Sequence, residues 1–114
     1  MKLEEVRRIL CADVLCGEEA LDQEVSSACG SDFMSDVLTF VSPQPSLLLT
    51  GLVNPQVIRT ADMVDARCIV FVRGKVPDAD MLELARQRQM VVMATALRMY
   101  PACGLLYTAG LRGD

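Results

Sequence analysis

Ser46-Leu47-Leu48-Leu49-Thr50-Gly51 is an apolar run closed by a small polar turn, and Asn54-Pro55-Gln56-Val57-Ile58-Arg59-Thr60-Ala61 follows it as an amphipathic helix. The arrangement returns twice. Cys68-Ile69-Val70-Phe71-Val72-Arg73-Gly74 leads into Asp78 to Ala85, and Met90-Val91-Val92-Met93-Ala94-Thr95 leads into Leu97 to Leu106. Three strand-then-helix units in succession predict a parallel sheet covered by helices. Ligands of such sheets bind beyond the carboxyl ends of the strands. The residues just after each run are therefore the first candidates for a site.

Upstream of these units, Leu3, Val6, Ile9 and Leu10 recur at helical spacing, with Glu4, Glu5, Arg7 and Arg8 on the other face, so residues 2–10 read as a first helix. Short strands are expected at 12–15, ended by Gly17, and at 25–29, closed by Gly30, with a polar link at 18–22 between them. Ser31-Asp32 reads as an N-cap pair for a helix through Phe33, Met34, Val37 and Leu38, broken by Ser42-Pro43-Gln44-Pro45. Residues 110–114 form a Gly-rich tail. The expected architecture is a small layered α/β domain, a mainly parallel sheet flanked by helices, spanning 1–114 as one unit.

Hydrophobic residues make up 52% of the chain, slightly high for a soluble domain. A sheet buried on both faces accounts for part of this. An apolar oligomer face accounts for it as well, and a homodimer is expected. The net charge of −4, the dispersed basic residues and the few aromatics exclude a nucleic-acid binder. The apolar runs are too short to span a bilayer, and Met1-Lys2-Leu3-Glu4-Glu5 does not read as a signal peptide. A cytoplasmic location is expected.

The chain has no histidine. That removes the Ser-His and Cys-His nucleophile pairs, the commonest general base and the commonest metal ligand. No metal and no cofactor are expected, and the absence argues against an autonomous enzyme. Five cysteines, at 11, 16, 29, 68 and 103, contain no Cys-x-x-Cys and fit a reducing compartment. Cys68 and Cys103 read as core. Cys11, Cys16 and Cys29 are candidate exposed thiols, with small buried hydrophobes as the alternative. Asp32 and Asp36 lie four apart and read as a helix cap with a solvated neighbour, or as paired carboxylates.

Asn54-Pro55 is a strong helix start, an N-cap before proline at the first helical position. Gly51 permits an unusual turn before it, and amides at that start favour an anion. Arg59 is placed one turn along; Arg73-Gly74 and Thr95 end the next two strands. Gly51, Asn54, Arg59, Arg73, Gly74 and Thr95 are thus candidate contacts for a nucleotide or other phosphorylated metabolite. Ordinary structural roles compete with this reading, since neither a P-loop nor Gly-x-Gly-x-x-Gly is present.

The chain from Met1 to Leu111 resembles the short stand-alone members of the DRTGG-domain family. The resemblance is carried by Lys2-Leu3 with Ile9-Leu10, by Ser31 to Leu38, by Leu48 to Ala61 and by Ile69 to Lys75. It implies a fold like the N-terminal domains of HPr kinase and the Mur ligases. It also implies an accessory role, regulatory or dimerising, with a protein partner or a bound small molecule and without catalysis. Short members occur near anaerobic redox or hydrogenase systems. The signature Asp-Arg-Thr-Gly-Gly is replaced here: Gly51-Leu52-Val53-Asn54 and Val72-Arg73-Gly74 stand at the two turns that carry it.

Overall fold

In the computed structural model, which describes residues 1–40 and 44–113, five strands form one sheet with helices on both faces. In chain order the elements are α1 (Leu3–Leu10), β1 (Asp13–Cys16), a 3-10 turn (Glu18–Ala20), β2 (Ser27–Gly30), α2 (Met34–Val37) and β3 (Ser46–Thr50). Then follow α3 (Pro55–Met63), β4 (Ala66–Phe71), α4 (Ala79–Gln87), β5 (Val91–Ala94) and α5 (Met99–Thr108). The strand order is β1-β5-β4-β3-β2. β2 to β5 run parallel, and β1 closes the β5 edge antiparallel. The expected mainly parallel layered α/β fold is the one observed.

Side chains alternate across the sheet, as the pleat requires. Leu47, Leu49, Cys68, Val70, Val91 and Met93 join the layer under α1 and α5. Leu48, Ile69, Phe71 and Val92 join the opposite layer, with Val37, Val57, Ile58, Met81 and Ala85 from α2, α3 and α4. Both faces of β3, β4 and β5 are therefore dry, which is why these strands read as unbroken apolar runs. Each fully buried Leu, Ile, Val or Phe contributes about 1.5–3 kcal/mol of transfer free energy.

The helices begin and end for local reasons. Asn54 Oδ1 accepts from Gln56 N at 2.9 Å and Asp78 Oδ1 accepts from Met81 N at 2.9 Å, each capping its helix. Cys11, in the left-handed region at φ 49°, ends α1.

Several sequence expectations need correction here. The link at 18–22 contains the 3-10 turn, and the second strand starts at Ser27 rather than Val25. The Gly-rich end is tied down through Arg112: Leu111 is buried and the Arg112 carbonyl accepts from Ala28 N on the β2 edge at 3.0 Å. The expected helix break at Ser42 and Pro43 lies outside the described residues, as does Asp114. Among the described residues no helix is long and apolar enough to cross a membrane.

Candidate functional site

The helices after β2, β3 and β4 lie on one face of the sheet, whereas the helix after β5 lies on the other. The start of α5 and the exits of β2, β3 and β4 therefore border a crevice at the carboxyl ends. In open α/β sheets this change of face is where ligands bind.

Each strand exit supplies a fixed part. After β2, Ser31 Oγ accepts from Phe33 N at 3.0 Å and starts the turn into α2. Asp32 does not cap that helix, contrary to the N-cap reading. Its Oδ1 instead accepts from Gly51 N at 2.7 Å and from the Thr50 hydroxyl at 3.3 Å. It is thereby drawn to the exit of β3 and is no partner for Asp36. The buried Thr50 also accepts from Leu52 N at 3.1 Å, which sets the turn after β3.

After β4, Arg73 and Gly74 both take left-handed backbone, at φ 51° and 74°. For Gly74 this is ordinary, and for Arg73 it is strained. The turn is held by Arg73 N donating to Leu97 O at 2.6 Å and Gly74 N donating to Thr95 O at 3.0 Å. The bend carries the Arg73 side chain back over Gly51, where Nη2 donates to the Gly51 carbonyl at 3.2 Å and stands 3.6 Å from Asp32 Oδ2. Gly51 is required by this approach: a Cβ there would lie 2.8 Å from Arg73 Cζ.

After β5, the buried Thr95 donates its hydroxyl to Leu10 O at 2.8 Å and accepts from Leu97 N at 3.2 Å. It anchors the β5 exit to the end of α1. Arg98 is the N-cap of α5, with no side-chain cap bond, so no side chain caps the amides of Met99 and Tyr100 at the cleft rim, while Pro101 has no N–H to offer.

Two adjoining lobes result. The smaller, about 440 Å³, is lined by Asp32, Gly51, Leu52, Val53, Arg73 and Lys75. The larger, about 800 Å³, shares Asp32, Arg73 and Lys75 and adds Ala96, Arg98, Met99 and Tyr100. Both volumes fall in the range of small-molecule sites. Three cationic side chains thus meet one carboxylate, on a chain whose net charge is −4. The Arg73–Asp32 pair is about half exposed on both sides. Such a pair is worth about 0–1 kcal/mol, so Arg73 can exchange it for a stronger anion.

Of the six residues singled out from the sequence, Gly51 and Arg73 line the cleft. Gly74 and Thr95 build its backbone. The Asn54 side chain is committed to capping α3. Arg59 is exposed on α3, where Val57, Ile58, Thr60 and Ala61 take the inward positions, and it lines neither lobe. Sequence reasoning missed Lys75, Arg98, Tyr100, the Leu52-Val53 pair and the role of Asp32. A usable signal existed: Asp32, Lys75 and Arg98 each follow a strand by only a few residues, as cleft residues of a parallel sheet must.

The candidate thiols do not converge. Cys16 is buried and donates to Met90 O at 3.5 Å, Cys29 is half-buried, and only Cys11 of the three is exposed. Burial pushes the Cys16, Cys68 and Cys103 thiols up, away from the reactive thiolate. Among the described residues no three His, Cys, Asp or Glu side chains gather as a metal site.

A second surface stands apart from the cleft. α5 buries Ala102 and Leu106 and leaves Tyr100, Leu105 and Tyr107 exposed, with Gly104 between them. A shallow apolar groove of about 860 Å³ runs along this face and reaches Ile9.

No family model matches the chain, and no curated protein matches it. Among solved structures it is similar to the CBS and DRTGG domains of the regulatory region of Clostridium perfringens pyrophosphatase, solved with the activator diadenosine tetraphosphate. The TM-score is 0.72 at 16% identity, over 92% of this chain and 45% of that one. The chain thus spans less than half of that regulatory region, and the likeness is one of fold.

Proposed function

We propose that this chain is a regulatory domain of the DRTGG type, without chemistry of its own, that senses a phosphorylated small molecule in the cleft at the strand carboxyl ends. The observation that carries the reading is that Arg73, Lys75 and Arg98 line one cleft at the carboxyl ends of the strands. Three cations around an open α5 N-terminus suit a polyanion. The nucleotide activator of the pyrophosphatase regulatory region supports the same class of ligand. The lack of histidine removes the commonest general base, and no cysteine lines either lobe among the described residues.

A thermal-shift screen of mono- and dinucleoside polyphosphates tests it. A true ligand at a hundredfold excess over its Kd stabilises by about 2.7 kcal/mol. Arg98→Ala should abolish the shift while its own melting temperature stays near that of the parent protein. An unchanged shift in Arg98→Ala removes the cleft as the site.

The α5 face favours a second property, self-association. Residues 99–108 carry no charge, the Arg112 guanidinium stacks on the Tyr107 ring at 4.0 Å at one end of the face, and exposed Tyr side chains are typical of interface centres. Sedimentation should give twice the chain mass, and Leu105→Glu should give one. A parent protein that stays monomeric at micromolar concentration overturns the dimer. The cytoplasmic location and a link to anaerobic redox systems are expectations from sequence and resemblance that a study of the protein's genomic neighbours and cell fractions would test.

A further inference from the structure

We propose that the two lobes read the two ends of a nucleoside polyphosphate, with phosphates in the larger lobe and the nucleoside in the smaller, its ribose hydroxyls on Asp32. The proposal rests on the reading of the cleft as a phosphate site and adds the head group and its direction.

The lobes differ in chemistry. The larger holds Arg98 and the open first turn of α5, and shares Lys75 and Arg73. The smaller is walled by Leu52 and Val53, both partly buried against the core under α3 and α4. A sugar phosphate or inorganic polyphosphate leaves that apolar wall unused. A ligand with a flat, weakly polar head and an anionic tail covers both.

Asp32 stands between the lobes and sets the direction. Its Oδ1 is occupied by Gly51 N and Thr50, whereas Oδ2 faces Arg73 at 3.6 Å, an ion pair without a hydrogen bond. Oδ2 therefore retains acceptor capacity towards the cleft. A carboxylate repels phosphate and accepts from vicinal hydroxyls, as acidic residues do for ribose in other parallel sheets. The phosphates then lie on the Arg98 side, and Arg73 turns from Asp32 to the phosphate nearest the sugar.

Isothermal titration of the whole chain with four probes tests this: adenosine triphosphate, guanosine triphosphate, inorganic triphosphate and 2′,3′-dideoxyadenosine triphosphate. At least one ribonucleotide should bind about tenfold or more tighter than triphosphate, the gain from burying a nucleoside. The dideoxy analogue should lose about fivefold, the scale of a hydroxyl bond to a partly exposed carboxylate. Asp32→Asn keeps an acceptor for Gly51 and Thr50. It should erase the ribo–dideoxy difference and strengthen triphosphate binding by about threefold, as a repelling charge leaves. Val53→Ser should shrink the nucleotide-over-triphosphate ratio, and Tyr100→Ala should not.

Triphosphate binding as tightly as the ribonucleotides overturns the nucleoside lobe and leaves the phosphate reading standing. Equal binding of the ribo and dideoxy forms overturns the role of Asp32. A ratio lost in Tyr100→Ala and kept in Val53→Ser reverses the direction and overturns the assignment of the lobes. No binding of any probe at millimolar concentration overturns both this proposal and the reading beneath it.

Discussion

β4 and its continuation are two regions of one short segment with opposite physics. From Cys68 to Val72 every side chain is fully buried, and the backbone is flanked by β3 and β5. From Arg73 to Lys75 every residue is exposed, two take left-handed backbone, and two of the three cleft cations are found there. The strand interior holds the sheet together, and the rim holds charge in place at little cost to the fold. Substitutions in the two regions should separate stability from binding within a few residues.

The largest stability effect belongs to the interior. Phe71→Ala should cost about 3–5 kcal/mol through lost burial and a cavity beneath α3 and α4. At roughly 4 °C per kcal/mol, melting by circular dichroism should fall by more than 10 °C. A fall of only a few degrees means that the layer collapses around the gap and that β4 is less rigid than its burial implies.

The interior thiols come next. Burial raises the folded-state values of Cys16, Cys68 and Cys103, while the unfolded thiols ionise near their ordinary value of 9.0. The folded state therefore holds protons that the unfolded state releases. Stability is fully present below that value and is lost as pH rises above it, by about 1.4 kcal/mol per pH unit for each thiol that stays protonated. Denaturant midpoints measured from pH 7 to 10 should be flat at first and then fall. A flat profile to pH 10 in Cys68→Ala alone assigns the fall to that one thiol.

At the rim the effects shrink. Asn54→Ala removes the α3 cap and should cost about 1 kcal/mol. Arg73→Gly relieves roughly 1–2 kcal/mol of left-handed strain, offset by the roughly 0.5–1 kcal/mol that glycine loses in entropy. Its melting temperature should stay within a few degrees of the parent while ligand binding fails. A large loss of stability in Arg73→Gly would erase the separation between the two regions. Gly51→Ala should fold as well, because the guanidinium that its methyl displaces is the end of a flexible chain, but it should move Arg73 off Asp32 and weaken binding.

Much of this was readable in advance. The three apolar runs, the Asn54-Pro55 start and the carboxyl-end location followed from periodicity and turn chemistry, because buried parallel strands leave no polar alternation and caps need particular side chains. The cleft was legible only in part. Gly51 and Arg73 do line it, yet Asp32 read as a cap because a Ser-Asp pair before a helix has that local meaning. Its actual acceptor role depends on Gly51, 19 residues away. Arg59 read as a cleft residue because one helical turn was counted from Asn54, whereas the sheet takes up Val57, Ile58 and Thr60 and turns Arg59 outward.

The sequence by itself determined the class of fold, the strand and helix alternation and the lack of histidine, since these depend on composition and on patterns only a few residues long. The tertiary structure alone decided the strand order, the change of face after β5 and the meeting of Asp32, Arg73, Lys75 and Arg98. Residues 32 and 98 become neighbours of Arg73 only because β2 and β5 flank the β3–β4 pair in the sheet. Such long-range pairings are set by how both faces of the sheet are covered at once, which no local stretch of the chain encodes.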